Sequence, residues 1–326
     1  MSLPQTYQHW SLPTTSSPSG IEHTLHLSSA PFHFPPPRGS TLLVRVHATA
    51  LNPADYKLAE LPILSSLFPR RPATPCLDFS GEVRCAGADA EFRPGTRVFG
   101  RFDGPARRGA LAEWVAVEAG DVARLPDGVG WVDGACLGTA GQTALQSLRG
   151  LERGGSVFVN GASGGVGSYT VQVARLLGAG EVVGTCSGAN VQMVRELGVG
   201  EVVDYKTVDV REAVKKGEWD LVVDNVGMPR GLHKACDGRV KGRYVQVGAE
   251  IGWGSVVEFA KSALLPAALG GPKTPEDMDR LAEWAAKGEL KTMVDTVFSF
   301  EDAPKAFEKL KTGRARGKIV VSSSDT

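Results

Sequence analysis

The sequence predicts an α/β protein in two parts, a β-rich domain and a domain built on a doubly wound parallel sheet. Three observations carry this. Short alternating strands broken by Gly and Pro run to about Gly130, short apolar strands alternate with amphipathic helices from Trp131 onward, and a glycine-rich turn joins one such strand to one such helix. A length of 326 residues fits two domains at about 150 residues each. Lys+Arg and Asp+Glu both number 36, so no net field favours a polyanion, and the pairs Arg70-Arg71, Arg107-Arg108 and Lys215-Lys216 stand isolated. Neither nucleic acid nor a membrane is expected as a partner. The N-terminus lacks a basic start followed by an apolar run, which predicts a cytoplasmic protein. The 5 cysteines, Cys76, Cys85, Cys136, Cys186 and Cys236, lie far apart and form no C-x-x-C pair, so they read as reduced, packed thiols.

In chain order, TLLVRVHATAL comes first, with Leu42, Val44, Val46, Ala48 and Ala50 on one face of a half-buried strand. FSGEVRCAG, GTRVFGRF and AEWVAVEAG follow as further strands, while PFHFPPPRGS and LFPRRPATP are loops by their prolines. The second part reads SVFVN, EVVGTC, EVVDY, WDLVVDN and RYVQVG as strands. Between them lie the helices VGSYTVQVARLLGA, ANVQMVRELG, DVREAVKKG and GLHKAC. TPEDMDRLAEWAAKGE is a helix with Thr274 as cap and Pro275 in its first turn. The tail, VDTVFSF, EDAPKAFEKLKTG and GKIVVSS, returns to β-α-β and is expected to rejoin the first domain.

SVFVN runs into Gly161-Ala162-Ser163-Gly164-Gly165-Val166-Gly167 and then a helix. Glycines here let backbone approach a pyrophosphate, and the helix N-terminus offers free N–H groups and a positive dipole end. Ala162 stands where the usual fingerprint has its first glycine, but strand, turn and helix supply the required context. Ser163, Gly164, Gly165, Val166 and Gly167 are therefore cofactor-binding candidates for a dinucleotide. The next strand ends in Thr185-Cys186-Ser187-Gly188-Ala189-Asn190, without the acid that usually takes a ribose 2′-hydroxyl, which favours NADPH over NADH. Ser187 and Asn190 can donate to a 2′-phosphate, Ser187 reads equally as a helix N-cap, and Tyr205 can lie against adenine or phosphate.

With these segments, Asp224-Asn225-Val226-Gly227 and Asn52-Pro53-Ala54-Asp55-Tyr56-Lys57, the chain resembles the medium-chain dehydrogenase/reductase superfamily. The resemblance is to its zinc-independent quinone oxidoreductases and related enoyl reductases, and it covers nearly the whole chain. It implies a GroES-like catalytic domain from residues 1–130 and 272–326 and a Rossmann NADPH-binding domain from residues 131–271. Zinc alcohol dehydrogenases of the superfamily place a Cys after the first long strand and a Gly-His-Glu further on. Here those places read Ala50-Leu51-Asn52 and Leu77-Asp78-Phe79-Ser80-Gly81, so no metal site is expected. Hydride addition to an electrophilic enone or quinone does not need the Lewis acid that alcohol oxidation uses.

The resemblance places Asn52 beside the nicotinamide, while its local pattern reads as an N-cap with Pro53 at N1. Lys57, before Tyr56, is the catalytic candidate for protonating the enolate or binding its carbonyl, with solvent as an equal donor and a packed Tyr with a surface Lys as the plainer reading. Asp78 reads as a buried partner for an Arg. Thr143, and Thr139 with it, comes from the segment the resemblance passes along the cofactor. Asn225, Val226 and Gly227, and then Val247, Gly248 and Ala249, end strands at the ligand-binding edge of the sheet, with backbone at Val247 and Ala249 suited to the carboxamide. Lys318 and Arg316 are read as phosphate partners or as solvated tail charges, and Phe68, Phe99, Phe102, Trp253 and Phe259 as pocket walls or as core.

The expected activity is NADPH-dependent hydride transfer to a small-molecule enone, enoyl compound or quinone. Two alternatives stand beside it: an enoyl reductase acting on a chain held by a polyketide synthase carrier protein, and a non-catalytic NADPH-binding protein. The resemblance also implies a homodimer as an option.

Overall fold

Thr41–Leu51 form the longest strand, β3, in which the alternation of the sequence becomes one buried face and one mixed face. The computed structural model describes residues 3–12, 20–60, 73–102, 109–248 and 274–323. Ala249, Phe68, Trp253, Phe259 and the pairs Arg70-Arg71 and Arg107-Arg108 lie outside the described residues. Among those described, no helix is long and apolar enough to cross a membrane.

β3 pairs antiparallel with β4 (Asp78–Ala86), β6 (Trp114–Glu118) and the C-terminal strand β14 (Lys318–Ser322). β5 (Arg97–Arg101), β7 (Val122–Arg124) and β13 (Val294–Ser299) complete a seven-stranded sheet, so the tail does return to the first sheet. Phe79, Val98, Phe102, Phe307 and Val321 are among its buried core residues, with Phe79 and Phe102 rings 5.6 Å apart. An N-terminal antiparallel pair, β1 (Thr6–Ser11) with β2 (His26–Pro31), is additional; its segments carry no continuous apolar alternation and the sequence does not announce them.

The second sheet is wholly parallel, in the order β10 (Glu201–Asp204), β9 (Glu181–Cys186), β8 (Ser156–Asn160), β11 (Trp219–Asp224), β12 (Val240–Gln246). The order reverses at β8, which puts a crevice at the carboxyl ends of β8, β9 and β11. Between the sheets run α2 (Trp131–Cys136), a π-helical turn at Leu137–Gly141 and α3 (Gln142–Ser147). Such turns are rare and concentrate at functional sites.

Helix α4 (Gly165–Leu176) follows β8, and the two sheets meet there. Gly317 N donates to Ser163 O at 2.9 Å, and Gly164 and Gly317 form an isolated parallel bridge. Gly317 has φ +93° and a Cβ on it would lie 2.0 Å from Met293 O, so only glycine permits this seam.

Candidate cofactor and active site

The phosphate turn is built from backbone. Gly161 takes φ +79°, and a Cβ on Gly167 would lie 2.0 Å from Gly161 O, so glycine at 167 allows the first turn of α4 to sit directly on the strand end. The N-cap, Gly164, supplies no capping side chain, which leaves the first N–H groups of α4 for an anion. A Cβ at Gly164 would meet nothing closer than Gly161 O at 3.6 Å, so space lies open there. These groups fit a dinucleotide pyrophosphate.

Under the turn, a network the sequence analysis did not anticipate fixes the strand ends. Asn160 Nδ2 donates to Asp224 Oδ1 at 2.8 Å and to Met228 O at 2.7 Å, while its Oδ1 accepts from Thr185 Oγ1 at 2.7 Å. Asp224 Oδ1 also accepts from Val226 N and Gly227 N, and its Oδ2 from Tyr244 OH at 2.8 Å. Burial and that carboxylate raise the Tyr244 phenol well above its ordinary value, so it remains a donor. Asn225 bonds to Asn160 O through both N and Nδ2, and its Oδ1 is buried without a partner, an acceptor suited to a ligand donor. Val247 N and Gly248 N both donate to Asp224 O, at 2.8 and 3.0 Å. The Val247 N–H is thus already used, which leaves its carbonyl rather than its N–H for a carboxamide.

At the ribose loop, Asn190 Nδ2 donates to Ser163 Oγ at 3.2 Å, joining two of the expected cofactor residues. Ser187 occupies a cap position without making a capping bond, so its hydroxyl is not spent on the helix. Tyr205 is 52% exposed and stands open at the end of β10.

The other wall is a buried polar cluster. Lys318, 3% exposed, donates from Nζ to Leu51 O at 2.9 Å and to Asn52 Oδ1 at 2.6 Å, and lies 3.7 Å from Asp78 Oδ2. Asn52 Nδ2 donates to Asp78 Oδ2 at 2.8 Å, while Asp78 Oδ1 accepts from Thr139 N at 2.8 Å and Thr139 Oγ1 at 2.5 Å. One expectation changes. The ammonium of Lys318 is committed to these interior acceptors instead of a cofactor phosphate or solvent; it lies beside Asp78, whose register partner on β5 is the buried Arg101. The lysine stem packs under the phosphate turn, with Lys318 Cδ 3.1 Å from where a Gly165 Cβ would be. Arg316 is exposed, and its backbone N donates to Asp295 Oδ2.

Asn52 precedes α1 (Pro53–Glu60) as expected, but the capping runs in reverse: Asp55, in the first turn, accepts from Asn52 N at 2.6 Å. This frees the Asn52 side chain for the cluster. Burial, the largest cause, and the neighbouring Asp78 charge raise the Asp55 carboxyl to about 7, and its Oδ1 has no partner. Tyr56 packs against the core of the first sheet with Lys311 Nζ 5.8 Å from its ring centroid. Burial, and then the Glu60 charge, hold its phenol above the ordinary value. Lys57, on the same helix, is half-buried.

Thr143 is 7% exposed at the start of α3, beside Gln142, which is fully buried with neither amide atom partnered. No sequence signal marks Gln142. Phe99 and Phe102 are buried core, at 0% and 8% exposure. Among the described residues no group of three His, Cys, Asp or Glu converges to hold a metal ion. The thiols are free, and burial raises Cys76, Cys186 and Cys236 and pushes Cys136 up to about 12, which keeps these four protonated.

Residues 38–127 match the family described as alcohol dehydrogenase GroES-like domain, and residues 197–321 that described as zinc-binding dehydrogenase. A trans-enoyl reductase of Aspergillus terreus is 37% identical over 99% of this chain and 98% of its own. The 2-methylene-furan-3-one reductase of Solanum lycopersicum is 31% identical over 86% of this chain and 71% of its own. The solved quinone oxidoreductase of Coxiella burnetii superposes with a TM-score of 0.81 at 27% identity, covering 97% of this chain and 99% of that one. The chain therefore belongs to the medium-chain dehydrogenase/reductase superfamily, an oxidoreductase family that binds nicotinamide cofactors, and within it to the zinc-independent quinone oxidoreductase and enoyl reductase branch.

Proposed function

We propose that the protein uses NADPH to reduce the C=C bond of an α,β-unsaturated carbonyl compound, or a quinone. The observation that carries this is the Asn52–Lys318–Asp78 cluster. The two places where zinc relatives put metal ligands meet here, and a lysine ammonium bonds to one and pairs with the other. That arrangement suits an acceptor that is already electrophilic.

When bound, the cofactor supplies the hydride. The chain's own part is to hold the pyrophosphate on the uncapped N–H groups of α4 and the 2′-phosphate near Ser163, Ser187 and Asn190. Asn52, held at both ends of its amide, keeps one orientation toward the nicotinamide. Lys57 is the proposed proton donor to the enolate oxygen or α-carbon; Tyr56, packed into the core with Lys311 beside it, is second. A carrier-bound acyl chain is the alternative substrate, supported by the Aspergillus terreus relative named trans-enoyl reductase.

The test is oxidation of NADPH and NADH by the purified protein with enones, ortho- and para-quinones and enoyl thioesters. A Lys57→Ala variant should lose roughly 10²- to 10⁴-fold in kcat. Turnover of free acceptors supports the reading. Tight NADPH binding with every free acceptor silent points to the carrier-bound client or to a non-catalytic role.

A further inference from the structure

The loop after β9 holds no acid in its own sequence, yet strand pairing brings one to it. β9 and β10 are parallel with Cys186 opposite Asp204, so both strands end on the same edge. Tyr205 N donates to Cys186 O at 3.1 Å, which clamps the two ends together. Asp204 is half-buried, and its Oδ1 accepts from Lys206 N at 3.0 Å. Its Oδ2 turns the other way: a Cβ on Gly188 would lie 2.6 Å from it. Gly188 directly follows Ser187, so the carboxylate stands against the loop assigned to the cofactor's ribose. The absence of a side chain at 188 is what lets it approach.

We infer that Asp204 is a specificity-determining residue for the ribose, accepting from the 2′-hydroxyl of NADH and opposing the 2′-phosphate of NADPH. This rests on the nicotinamide reading above. Ser163, Ser187 and Asn190 donate to a phosphate, and no Lys or Arg lies between 185 and 190 to neutralise it. Asp204 therefore narrows the margin by which the site favours NADPH over NADH.

The fragments 2′,5′-ADP and 5′-AMP report on this subsite without turnover. Calorimetric titration of the wild type should give affinities within about tenfold of each other. In Asp204→Asn, which keeps the Lys206 bond, the ratio should move about tenfold toward 2′,5′-ADP, the size expected for removing one charge several ångströms from a phosphate at the surface. The ratio of kcat/KM for NADPH over NADH should follow. Gly188→Ala, whose Cβ displaces the carboxylate, should move both ratios in the same direction and serves if Asp204→Asn does not fold. Ratios unmoved in the variants overturn the inference while leaving the reductase reading intact. Failure of the wild type to bind either fragment or either cofactor overturns the reading beneath it.

Discussion

Replacing Lys318 by Met keeps most of the stem that packs against Gly165 and removes only the charge. The amine it deletes lies 2.6 Å from Asn52 Oδ1, 2.9 Å from Leu51 O and 3.7 Å from Asp78 Oδ2, at 3% exposure. Asp78, 0% exposed, then loses the ammonium 3.7 Å from its Oδ2, and Asn52 Oδ1 loses a donor. Breaking a buried pair from one side costs about 3–5 kcal/mol, because the stranded charge cannot reach water. On a domain of ordinary size that is a fall of about 6–20 °C in Tm. The assay is thermal unfolding of four proteins: wild type, Lys318→Met, Asp78→Asn and the double variant. If the cost is that of a stranded carboxylate, the double variant should be more stable than Lys318→Met alone, with a coupling of about 0.5–3 kcal/mol. A Lys318→Met protein within 2 °C of wild type would refute the cluster as a source of stability. A double variant that is strictly additive would refute the charge argument while leaving packing.

The other predictions concern the turn and the neighbouring acid. Gly164→Ala should unfold within 2 °C of wild type, since its Cβ meets nothing closer than 3.6 Å, yet raise the KM for NADPH at least about tenfold by standing in the pyrophosphate's approach. Gly167→Ala, with its Cβ 2.0 Å from Gly161 O, should lose stability as well as cofactor binding, which thermal unfolding will separate from the first case. Asp55, raised to about 7 from an ordinary 3.8, binds its proton more tightly folded than unfolded. Its contribution is therefore complete below pH 4 and is lost as pH rises to about 7, a total of about 4 kcal/mol. Asp55→Asn should flatten that decline, measured as Tm against pH, and a wild-type slope that persists in the variant would assign the titration elsewhere.

The strands and the phosphate turn were legible because their signals are local: SVFVN and EVVGTC match β8 and β9 residue for residue. Ser163 and Asn190 were singled out on the same ground, and their side chains do meet. Lys318 was visible as a tail cation, but its partners lie on β3 and β4, and only the β14–β3 pairing decides between phosphate and interior. Asp204 was hidden for a related reason, since the loop it faces belongs to the neighbouring strand. Thr274 shows the limit at a single cap: it sits at the predicted position, but its hydroxyl donates to Asp277 Oδ2 instead of accepting from a backbone N–H. Asn160 and Thr185 read as ordinary strand ends until three strands are set side by side.

The amide of Asn52 and the ammonium that orients it are separated by 266 residues of chain. During synthesis the first strands leave the ribosome long before β14 exists, so the Ala48–Leu51 end of β3 waits without that partner and Asp78 without Lys318. Immediately before that last strand stands Gly317, whose N–H meets Ser163 O. The cofactor cleft is therefore completed by one late event that seats both sheets together, and a chain halted before Gly317 would hold the phosphate turn and Asn52 without the seam between them. Native-state hydrogen exchange should find the amides of β3 and β14 opening as one unit.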